Sequence, residues 1–219
     1  MKALLICPYF GDLPDWWERY EAEEIPRLER QGYDMLLGFN EADFHYRCKE
    51  ILGIEPPPMA NTGKTWDFRP TLGLLYEQEA RAYDWWGHTD FDCVYGHLPT
   101  SELLEDHGIG GAPVDAYTDC AYDYLAGPFS LYRNRPWVNR CFTLVPEWKK
   151  NVCAAEPTGW QETSFSKKMA EMGNVLVEDT HAYTEAELDV LRRDGDRLFV
   201  LDREMPFAHF RRTKKWPLP

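Results

Sequence analysis

The chain has 219 residues, of which 44% are hydrophobic and 15% aromatic, enough for one α/β domain with a sizeable core. Its formal net charge is −13, and such a field repels polyanions and argues against a broad surface for duplex nucleic acid. Apolar runs stay well short of the roughly 18 residues that a membrane span needs, so we expect no transmembrane segment. Six cysteines without a C-x-x-C pair favour reduced, mostly buried thiols in a cytoplasmic protein.

The first hundred residues alternate strands and helices. Strands are predicted at 3–7, 33–39 and 85–89, the first of them followed by a Pro/Gly-containing loop. Helices are predicted at 14–31, interrupted near Pro26, at 41–52, closed by Gly53, and at 68–83. This alternation predicts a parallel, doubly wound sheet, in which ligands bind beyond the carboxyl ends of the strands.

The second half of the chain is less regular. Strands are predicted at 129–132, 175–177 and 198–201, helices at 136–145 and 165–172, and a loop at 108–111. A short strand is also expected near 94–95. Because no repeat, low-complexity tract or linker interrupts the chain, one domain over residues 1–219 is the simplest interpretation.

Two carboxylates, Asp90 and Asp92, follow the hydrophobic strand at 85–89. Side chains two residues apart on an extended chain point to the same side. Hard oxygen ligands suit Mg²⁺ or Mn²⁺, which can bridge a substrate diphosphate. A chain with 37 acidic residues also produces this D-x-D spacing by chance, and Asp194-Gly195-Asp196 is a second match. That second match is predicted to be a solvated turn.

Several sequence blocks stand in unbroken order along the chain. They are WDFRP at 66–70, GLLY at 73–76, YDWWGHTDFD at 83–92, Gly96, and GPFSLYRN at 127–134. Together they resemble a family of small GT-A-like bacterial and viral glycosyltransferases associated with polysaccharide biosynthesis. Residues 6–11 resemble the family's first strand and nucleotide loop, and His209-Phe210 with the basic residues after it resembles its closing motif.

The resemblance implies a single GT-A-like domain with a mixed, mostly parallel central sheet flanked by helices. Residues 1–100 would form the nucleotide-binding half, and residues 101–219 the acceptor-side half with a C-terminal metal or phosphate motif. The implied activity is metal-dependent transfer of a sugar from a nucleotide-sugar, with UDP favoured, to a hydroxyl acceptor. A carbohydrate is the favoured acceptor.

The same resemblance assigns roles to residues. Asp90, Asp92 and His209 would form the site for Mn²⁺ or Mg²⁺, with Asp92 a direct ligand and Asp90 holding the ribose or a metal-bound water. The other donor contacts would be Tyr9 and Phe10 beside the base, Asp67 and Arg69 at the nucleotide or sugar-phosphate, and Arg211 or Lys214 at the leaving diphosphate. Arg69 stands where a lysine is expected. Alternatively, Tyr9 and Phe10 belong to the core and Arg69 is a solvent-facing helix residue.

The candidate catalytic base is Glu162, in the segment Trp160-Gln161-Glu162 before a predicted helix. Where the family tends to carry an acidic pair, this chain has Gln161 beside Glu162. In an inverting enzyme Glu162 would deprotonate the acceptor hydroxyl, and Trp160 would stack on a sugar ring. A carboxylate favoured by the dipole at a helix entry is the alternative.

Two further functions remain open from the sequence. One is a viral enzyme that glycosylates a hydroxymethylated DNA base, which the basic C-terminus allows and the net charge opposes. The other is a non-catalytic nucleotide- or glycan-binding module, which the missing acid at Gln161 allows. A Rossmann dehydrogenase is disfavoured because no G-x-G-x-x-G follows the first strand, and a P-loop enzyme because Lys64 lacks the upstream glycine.

Overall fold

A six-stranded sheet lies at the centre of the protein in the computed structural model. The structure describes residues 1–37, 40–59, 63–106, 113–119, 125, 128–178, 190–210 and 216–218. The strands in these residues are β1 (Ala3–Ile6), β2 (Tyr33–Leu36), β3 (Trp85–Thr89), β4 (Cys93–Tyr95), β5 (Ala116–Asp119), β6 (Phe129–Arg133), β7 (Val175–Glu178), β8 (Leu191–Asp194), β9 (Arg197–Val200), β10 (Arg203–Met205) and β11 (Phe207–His209).

The order of strands in the central sheet is β2-β1-β3-β6-β5-β7. β1 pairs in parallel with β2 and β3, and β5 pairs in parallel with β7, whereas β6 runs antiparallel to both β3 and β5. The predicted α/β class, with a mixed and mostly parallel sheet, is confirmed. Since every strand of this sheet except β6 points the same way, their carboxyl ends share one edge, where ligands bind in such folds.

The helices flank this sheet. They are α1 (Trp17–Glu23), α2 (Ile25–Arg30), α3 (Glu41–Arg47), α4 (Thr65–Phe68), α5 (Leu72–Leu75), α6 (Glu77–Ala80), α7 (Ser101–Asp106), α8 (Pro136–Arg140), α9 (Trp148–Cys153) and α10 (Ser166–Met172). Tight 3-10 turns occur at Arg69–Thr71 and Cys141–Leu144, and wider π-helical turns at Cys48–Leu52 and Gln161–Phe165.

Several helix boundaries follow sequence signals. The interruption expected near Pro26 is confirmed, because Pro26 occupies the first turn of α2, where its missing N–H costs nothing. The side chain of Asn40 caps α3 by accepting a hydrogen bond from the Ala42 N–H at 2.8 Å. The π-helical turn after α3 ends at Gly53, whose φ of 63° is a left-handed conformation that favours glycine.

The single helix expected over residues 68–83 is wrong. The segment instead forms α4, the 3-10 turn, α5 and α6 in succession. Pro70 explains the first break, because it has no N–H to donate and its ring crowds the preceding turn. Gly73 allows α5 to approach β3 closely, since a Cβ there would lie 2.2 Å from Cε2 of Trp86. The predicted apolar stripe is nevertheless buried at Leu72, Leu75, Tyr76 and Ala80.

Each face of the central sheet carries its own core. Neighbouring residues of a strand point to opposite faces, and the buried indoles of Trp85 and Trp86 accordingly lie in different apolar clusters. On the Trp86 side the cluster includes Phe44 of α3 and Met169 of α10. On the other side it includes Tyr20 of α1. Helices therefore cover both faces, as the alternating sequence pattern predicts.

Two small sheets complete the C-terminal part. β8, β9 and β10 form an antiparallel sheet, and β11 pairs antiparallel with β4. The sequence predicted β9 and part of β4 but missed β8, β10 and β11, because strands of three or four residues carry too few positions for a pattern. Gly96, just after β4, lets the two sheets approach, since a Cβ there would lie 2.2 Å from the Met205 carbonyl oxygen.

Other expectations concern burial and organisation. Of the described cysteines, four are buried, as predicted, and Cys153 is exposed. Cys120 and the loop at 108–111 lie outside the described residues. Within the described part of the chain, no helix combines the length and apolar character that crossing a membrane requires. The central sheet takes strands from both 1–100 and 101–219, and the assignment of donor and acceptor roles to these halves stays a prediction.

Candidate functional site

Asp90 and Asp92 lie in the turn between β3 and β4, at the carboxyl edge of the central sheet. The Asp90 N–H donates to the Pro128 carbonyl at 2.9 Å, which ties the turn to the start of β6. The Asp90 side chain is 22% exposed and that of Asp92 is 11% exposed. Both carboxylates therefore stay close to solvent while their backbone is held by the sheet.

His209 reaches the same place from the C-terminus through strand pairing. In the β11–β4 ladder His209 stands opposite Cys93, and the Phe210 N–H donates to the Asp92 carbonyl at 2.9 Å. The imidazole Nε2 lies 3.1 Å from Oδ1 of Asp92 and 3.8 Å from Oδ2 of Asp90. Two strands of three residues thus join groups that are 117 positions apart in sequence.

The three side chains fit a hard divalent cation. One ligand atom from each of Asp90, Asp92 and His209 lies within 4.8 Å of the others, and no other such group occurs in the residues that the structure describes. A hard cation holds its ligands at about 2.0–2.6 Å, so ligand atoms up to about 5 Å apart can share one ion. Two carboxylates and an imidazole are suitable ligands for Mn²⁺.

Two buried thiols lie beside these ligands. Burial, and next the negative charge of Asp90, raises the pKa of the Cys7 thiol, and burial and Asp92 raise that of Cys93. Both thiols therefore stay neutral at physiological pH and supply no thiolate. The charge of the site comes from its carboxylates.

Arg69 lies in the same place as these carboxylates, and its predicted contact with the nucleotide or sugar-phosphate stays a prediction. Its guanidinium forms an ion pair with Asp90, is 6% exposed, and stands 5.9 Å from the centre of the Trp66 ring. The 3-10 turn after α4 directs it towards the carboxyl edge of the sheet. The alternative of a solvent-facing Arg69 is excluded by this burial. A planar guanidinium can pair with two oxygens of a carboxylate or a phosphate at once.

The placement of Asp67 does not fit a contact with the donor. Its side chain is 1% exposed and pairs with Lys64 at 2.6 Å, and Lys64 has no solvent exposure. The same carboxylate accepts hydrogen bonds from the N–H groups of Thr158 at 2.8 Å and Gly159 at 3.1 Å. Its oxygens are occupied, so Asp67 ties α4 to the loop before residue 160 instead.

Trp160 is also a structural residue, so the expected stacking on a sugar ring is wrong. It is 2% exposed, and its indole N–H donates to the Asp67 carbonyl at 2.8 Å. Gln161 is buried as well, and its side-chain amide donates to the Leu125 carbonyl at 3.4 Å. Glu162, in contrast, is exposed at the start of the π-helical turn and remains a candidate base.

The two aromatic residues predicted beside the nucleotide base differ in burial. Phe10 is 8% exposed and packs against Phe44 with ring centres 5.3 Å apart, so it belongs to the core, as the alternative interpretation had it. Tyr9 is half-buried, and its ring meets the edge of Phe91 at 4.4 Å. Phe91 lies between Asp90 and Asp92, so Tyr9 lies next to the candidate site.

Arg211 and Lys214 lie outside the described residues. The residues on either side of that basic segment both pack on Trp16, with ring centres 5.0 Å away for Phe210 and 6.2 Å for Trp216. Trp16 also stacks on Phe91 at 5.5 Å. Phe210 and Trp216, which flank the basic segment in sequence, therefore both lie near the turn that carries the aspartates.

A row of buried polar residues was missed by sequence reasoning. His88 of β3 stands opposite Ser130 of β6, and the Ser130 hydroxyl donates to Thr118 of β5 at 2.9 Å. All three are fully buried, one step below the carboxyl edge, and Asp119 at the end of β5 is buried too. The alternation of side chains within β3 places His88 on the same face as Trp86, so its burial could have been predicted. The sequence of β5 has no clear strand pattern, so the burial of Thr118 and Asp119 could not.

Comparisons with known proteins agree with this fold. The model of a family of unknown function, DUF6625, matches residues 38–192, which is more than half of the chain. No curated protein matches. A crystal structure of a glycosyltransferase involved in the glycosylation of the major capsid of PBCV-1 is similar, with a TM-score of 0.52 and 12% identity over 95% of this chain and 93% of that chain. The galactosyltransferase LgtC, in complex with donor and acceptor sugar analogs, has a TM-score of 0.42 and 12% identity over 95% and 86% of the chains. The first likeness shows a GT-A-like fold.

Proposed function

The chain belongs to this family of unknown function, and we propose that it is a metal-dependent glycosyltransferase that moves a sugar from a nucleotide-sugar to a hydroxyl group. A fold hosts many functions, so the function has to be inferred from the residues at the site. The observation that carries it is the convergence of Asp90, Asp92 and His209 at the ligand-binding edge of a GT-A-like sheet.

Asp90, Asp92 and His209 would hold a Mn²⁺ or Mg²⁺ ion. Such an ion neutralises the charge that develops on a departing nucleoside diphosphate. The guanidinium of Arg69, fixed beside Asp90, offers a planar pair of donors for phosphate oxygens. Because Asp90 already pairs with this guanidinium, a diphosphate would share it with that carboxylate.

The proposed donor is a UDP-sugar. Tyr9, with a half-exposed ring beside Phe91, is the proposed contact for the base. Arg211 and Lys214 are proposed to steady the leaving diphosphate. The support for this role is that the flanking Phe210 and Trp216 both pack on Trp16 next to the aspartates.

Glu162 is proposed as the base that deprotonates the acceptor hydroxyl. Its exposure leaves the carboxylate accessible to an acceptor, whereas the neighbouring Gln161 is buried in a hydrogen bond to the backbone. The missing acid at 161 therefore gives little support to a non-catalytic module. Glu162→Gln is expected to keep metal-dependent nucleotide binding and to reduce transfer at least 100-fold. Unchanged transfer in this variant would remove Glu162 from the mechanism.

The proposed acceptor is a carbohydrate hydroxyl. One similar structure is described as a glycosyltransferase involved in the glycosylation of the major capsid of PBCV-1, which favours a glycan acceptor over a nucleic acid. The net charge of −13 opposes the approach of DNA. Screening should begin with glycans and short oligosaccharides, and hydroxymethylated DNA serves as the comparison.

The decisive experiment is calorimetric titration of UDP, GDP and CDP with and without Mn²⁺. We expect one nucleotide to bind only with the metal, and Asp92→Ala to weaken that binding at least 100-fold because it removes a charged ligand. Asp194→Ala is the matched control, since it alters the second D-x-D of the chain in the exposed β8–β9 hairpin. Equal binding by wild type and Asp92→Ala would refute the metal site. Binding without transfer or hydrolysis would favour a binding module.

A further inference from the structure

A carboxylate with no solvent exposure lies between α1 and α2. Glu24 is 0% exposed, and its backbone continues the helical hydrogen bonds from Tyr20 to Leu28. Arg193 of β8 reaches it across the molecule with two parallel contacts, Nη1 to Oε1 at 2.7 Å and Nη2 to Oε2 at 3.0 Å. A buried ion pair costs desolvation that its attraction often fails to repay, so stability alone explains it poorly.

The ion pair also forms hydrogen bonds with the backbone of one strand residue, Tyr95. The Tyr95 N–H donates to Oε2 of Glu24 at 2.8 Å, and Nη2 of Arg193 donates to the Tyr95 carbonyl at 2.9 Å. Both polar backbone groups of Tyr95 are therefore satisfied by the charged pair. Tyr95 is the last residue of β4.

The opposite edge of β4 belongs to β11. The Gly96 N–H donates to the Pro206 carbonyl at 2.8 Å, and the Asp92 carbonyl accepts from the Phe210 N–H at 2.9 Å. Alternate residues of a strand direct their backbone groups to opposite edges, so Tyr95 faces away from β11. Glu24 and Arg193 thus occupy the place of a third strand beside β4.

The turn before β4 and the end of β11 carry two of the three proposed metal ligands. Asp92 directly precedes β4, and His209 ends the strand that is paired with it, so the two ligands belong to one small unit. Asp90 lies on the other side of the turn, where its N–H is held by the Pro128 carbonyl of the central sheet. The position of β4 therefore sets the distance between Asp90 and the other two ligands.

We propose that Glu24 and Arg193 are positioning residues for the metal centre, an inference that rests on the proposed function. By fixing Tyr95 from the side opposite β11, they hold the Asp92–His209 unit at the distance from Asp90 that one divalent cation requires. The planar guanidinium suits this task because it contacts the carboxylate twice and the Tyr95 carbonyl at the same time.

The test is the Mn²⁺ affinity of Arg193→Lys and Glu24→Gln, measured directly from the electron paramagnetic resonance signal of free Mn²⁺. Lysine at position 193 keeps the positive charge but loses the planar guanidinium with its two parallel donors. Glutamine at position 24 keeps the shape of the side chain but loses the negative charge. We expect each variant to bind Mn²⁺ about 10-fold more weakly or worse, the size typical for residues that orient metal ligands. The Mn²⁺ affinity of the double variant should be no lower than that of the single variant that binds Mn²⁺ less tightly, since both substitutions act through Tyr95.

Asp196→Asn is the matched control. Asp196 lies in the same hairpin and pairs with Arg27 at 2.5 Å and Arg30 at 2.9 Å of α2, and these contacts do not involve β4. It removes ion pairs between hairpin and helix without touching Tyr95, and its one link to the pair is the outer-limit contact of 4.0 Å between Nε of Arg27 and Oε2 of Glu24. Its Mn²⁺ affinity should equal that of the wild type.

The outcomes separate this inference from the proposed function. Mn²⁺ affinity that is unchanged in Arg193→Lys and Glu24→Gln, with only a lower melting temperature, overturns the positioning role and leaves the metal site standing. An equal loss in Asp196→Asn overturns it too, because any loosening of the hairpin would then suffice. Wild-type protein that binds no Mn²⁺ overturns the proposed function together with this inference. Should Glu24→Gln fail to fold, the charge-preserving Arg193→Lys decides.

Discussion

Two regions of the molecule place aspartates next to basic side chains, with opposite results. After β3, Asp90 and Asp92 keep part of their surface open and meet His209 and Arg69 there. At α4, Asp67 is fully enclosed and shares its oxygens among Lys64 and two backbone N–H groups. An aspartate in a sequence block is thus a candidate ligand where its carboxylate reaches solvent, and a structural group where the fold encloses it.

The largest expected effect tests the enclosed region. Asp67→Asn leaves the buried ammonium of Lys64 without its counter-charge, so we expect the free energy of unfolding to fall by about 3–5 kcal/mol. Urea denaturation followed by tryptophan fluorescence measures it. Mn²⁺ affinity of the folded variant should stay within about threefold of the wild type, because none of the metal ligands is altered.

The comparison variant for this prediction is Asp90→Asn. Its side chain is 22% exposed but pairs with the nearly buried Arg69, so we expect the free energy of unfolding to fall by less than in Asp67→Asn, while Mn²⁺ binding weakens about 10-fold or more. The contrast breaks down if Asp67→Asn loses the metal without losing stability. It also breaks down if Asp90→Asn is the less stable of the two.

A smaller effect concerns thiol reactivity. Burial raises the pKa of Cys48 to about 12 and that of Cys141 to about 11, and it raises the pKa of Cys7 and Cys93 as well. A raised pKa lowers the thiolate fraction at pH 8, so these four thiols should react with a disulfide reagent only when the protein opens. Exposed Cys153 should react first.

Peptide mass spectrometry after timed labelling identifies the reacting thiols. Cys153→Ser is the control, and it should remove the first phase. Rapid labelling of Cys7 or Cys93 in the native protein would show that the metal-site region opens more readily than its packing implies. The region around Asp90 and Asp92 would then differ from the α4 region in mobility as well as in the solvent accessibility of its aspartates.

Much of the fold was predictable because it depends on local chemistry. The apolar runs at 3–7 and 85–89 became β1 and β3, Pro26 separated α1 from α2, and Gly53 ended the turn after α3. The segment at 68–83 was harder, because the apolar spacing of a helix concealed the break at Pro70. Boundaries depend on such single residues, whereas burial of the stripe depends on the whole pattern.

The candidate site was predictable only in part. Asp90 and Asp92 are marked by their place after a buried strand, and resemblance added His209 and Arg69. It also suggested Asp67 and Phe10, whose burial no local pattern reveals. Glu24 and Arg193 carried no signal, since charged residues 169 positions apart give no hint that they pair.

The alternation of strands and helices and the position of two carboxylates at a strand end were readable from the sequence, because they follow from spacing along a few residues. Which charges meet depends on the folded chain. The β4–β11 ladder brought His209 to Asp92, the approach of β8 to α1 and α2 buried the Glu24–Arg193 pair, and close packing enclosed Asp67. Those contacts join distant segments, and their energies depend on desolvation and hydrogen-bond geometry that exist only once the chain has folded.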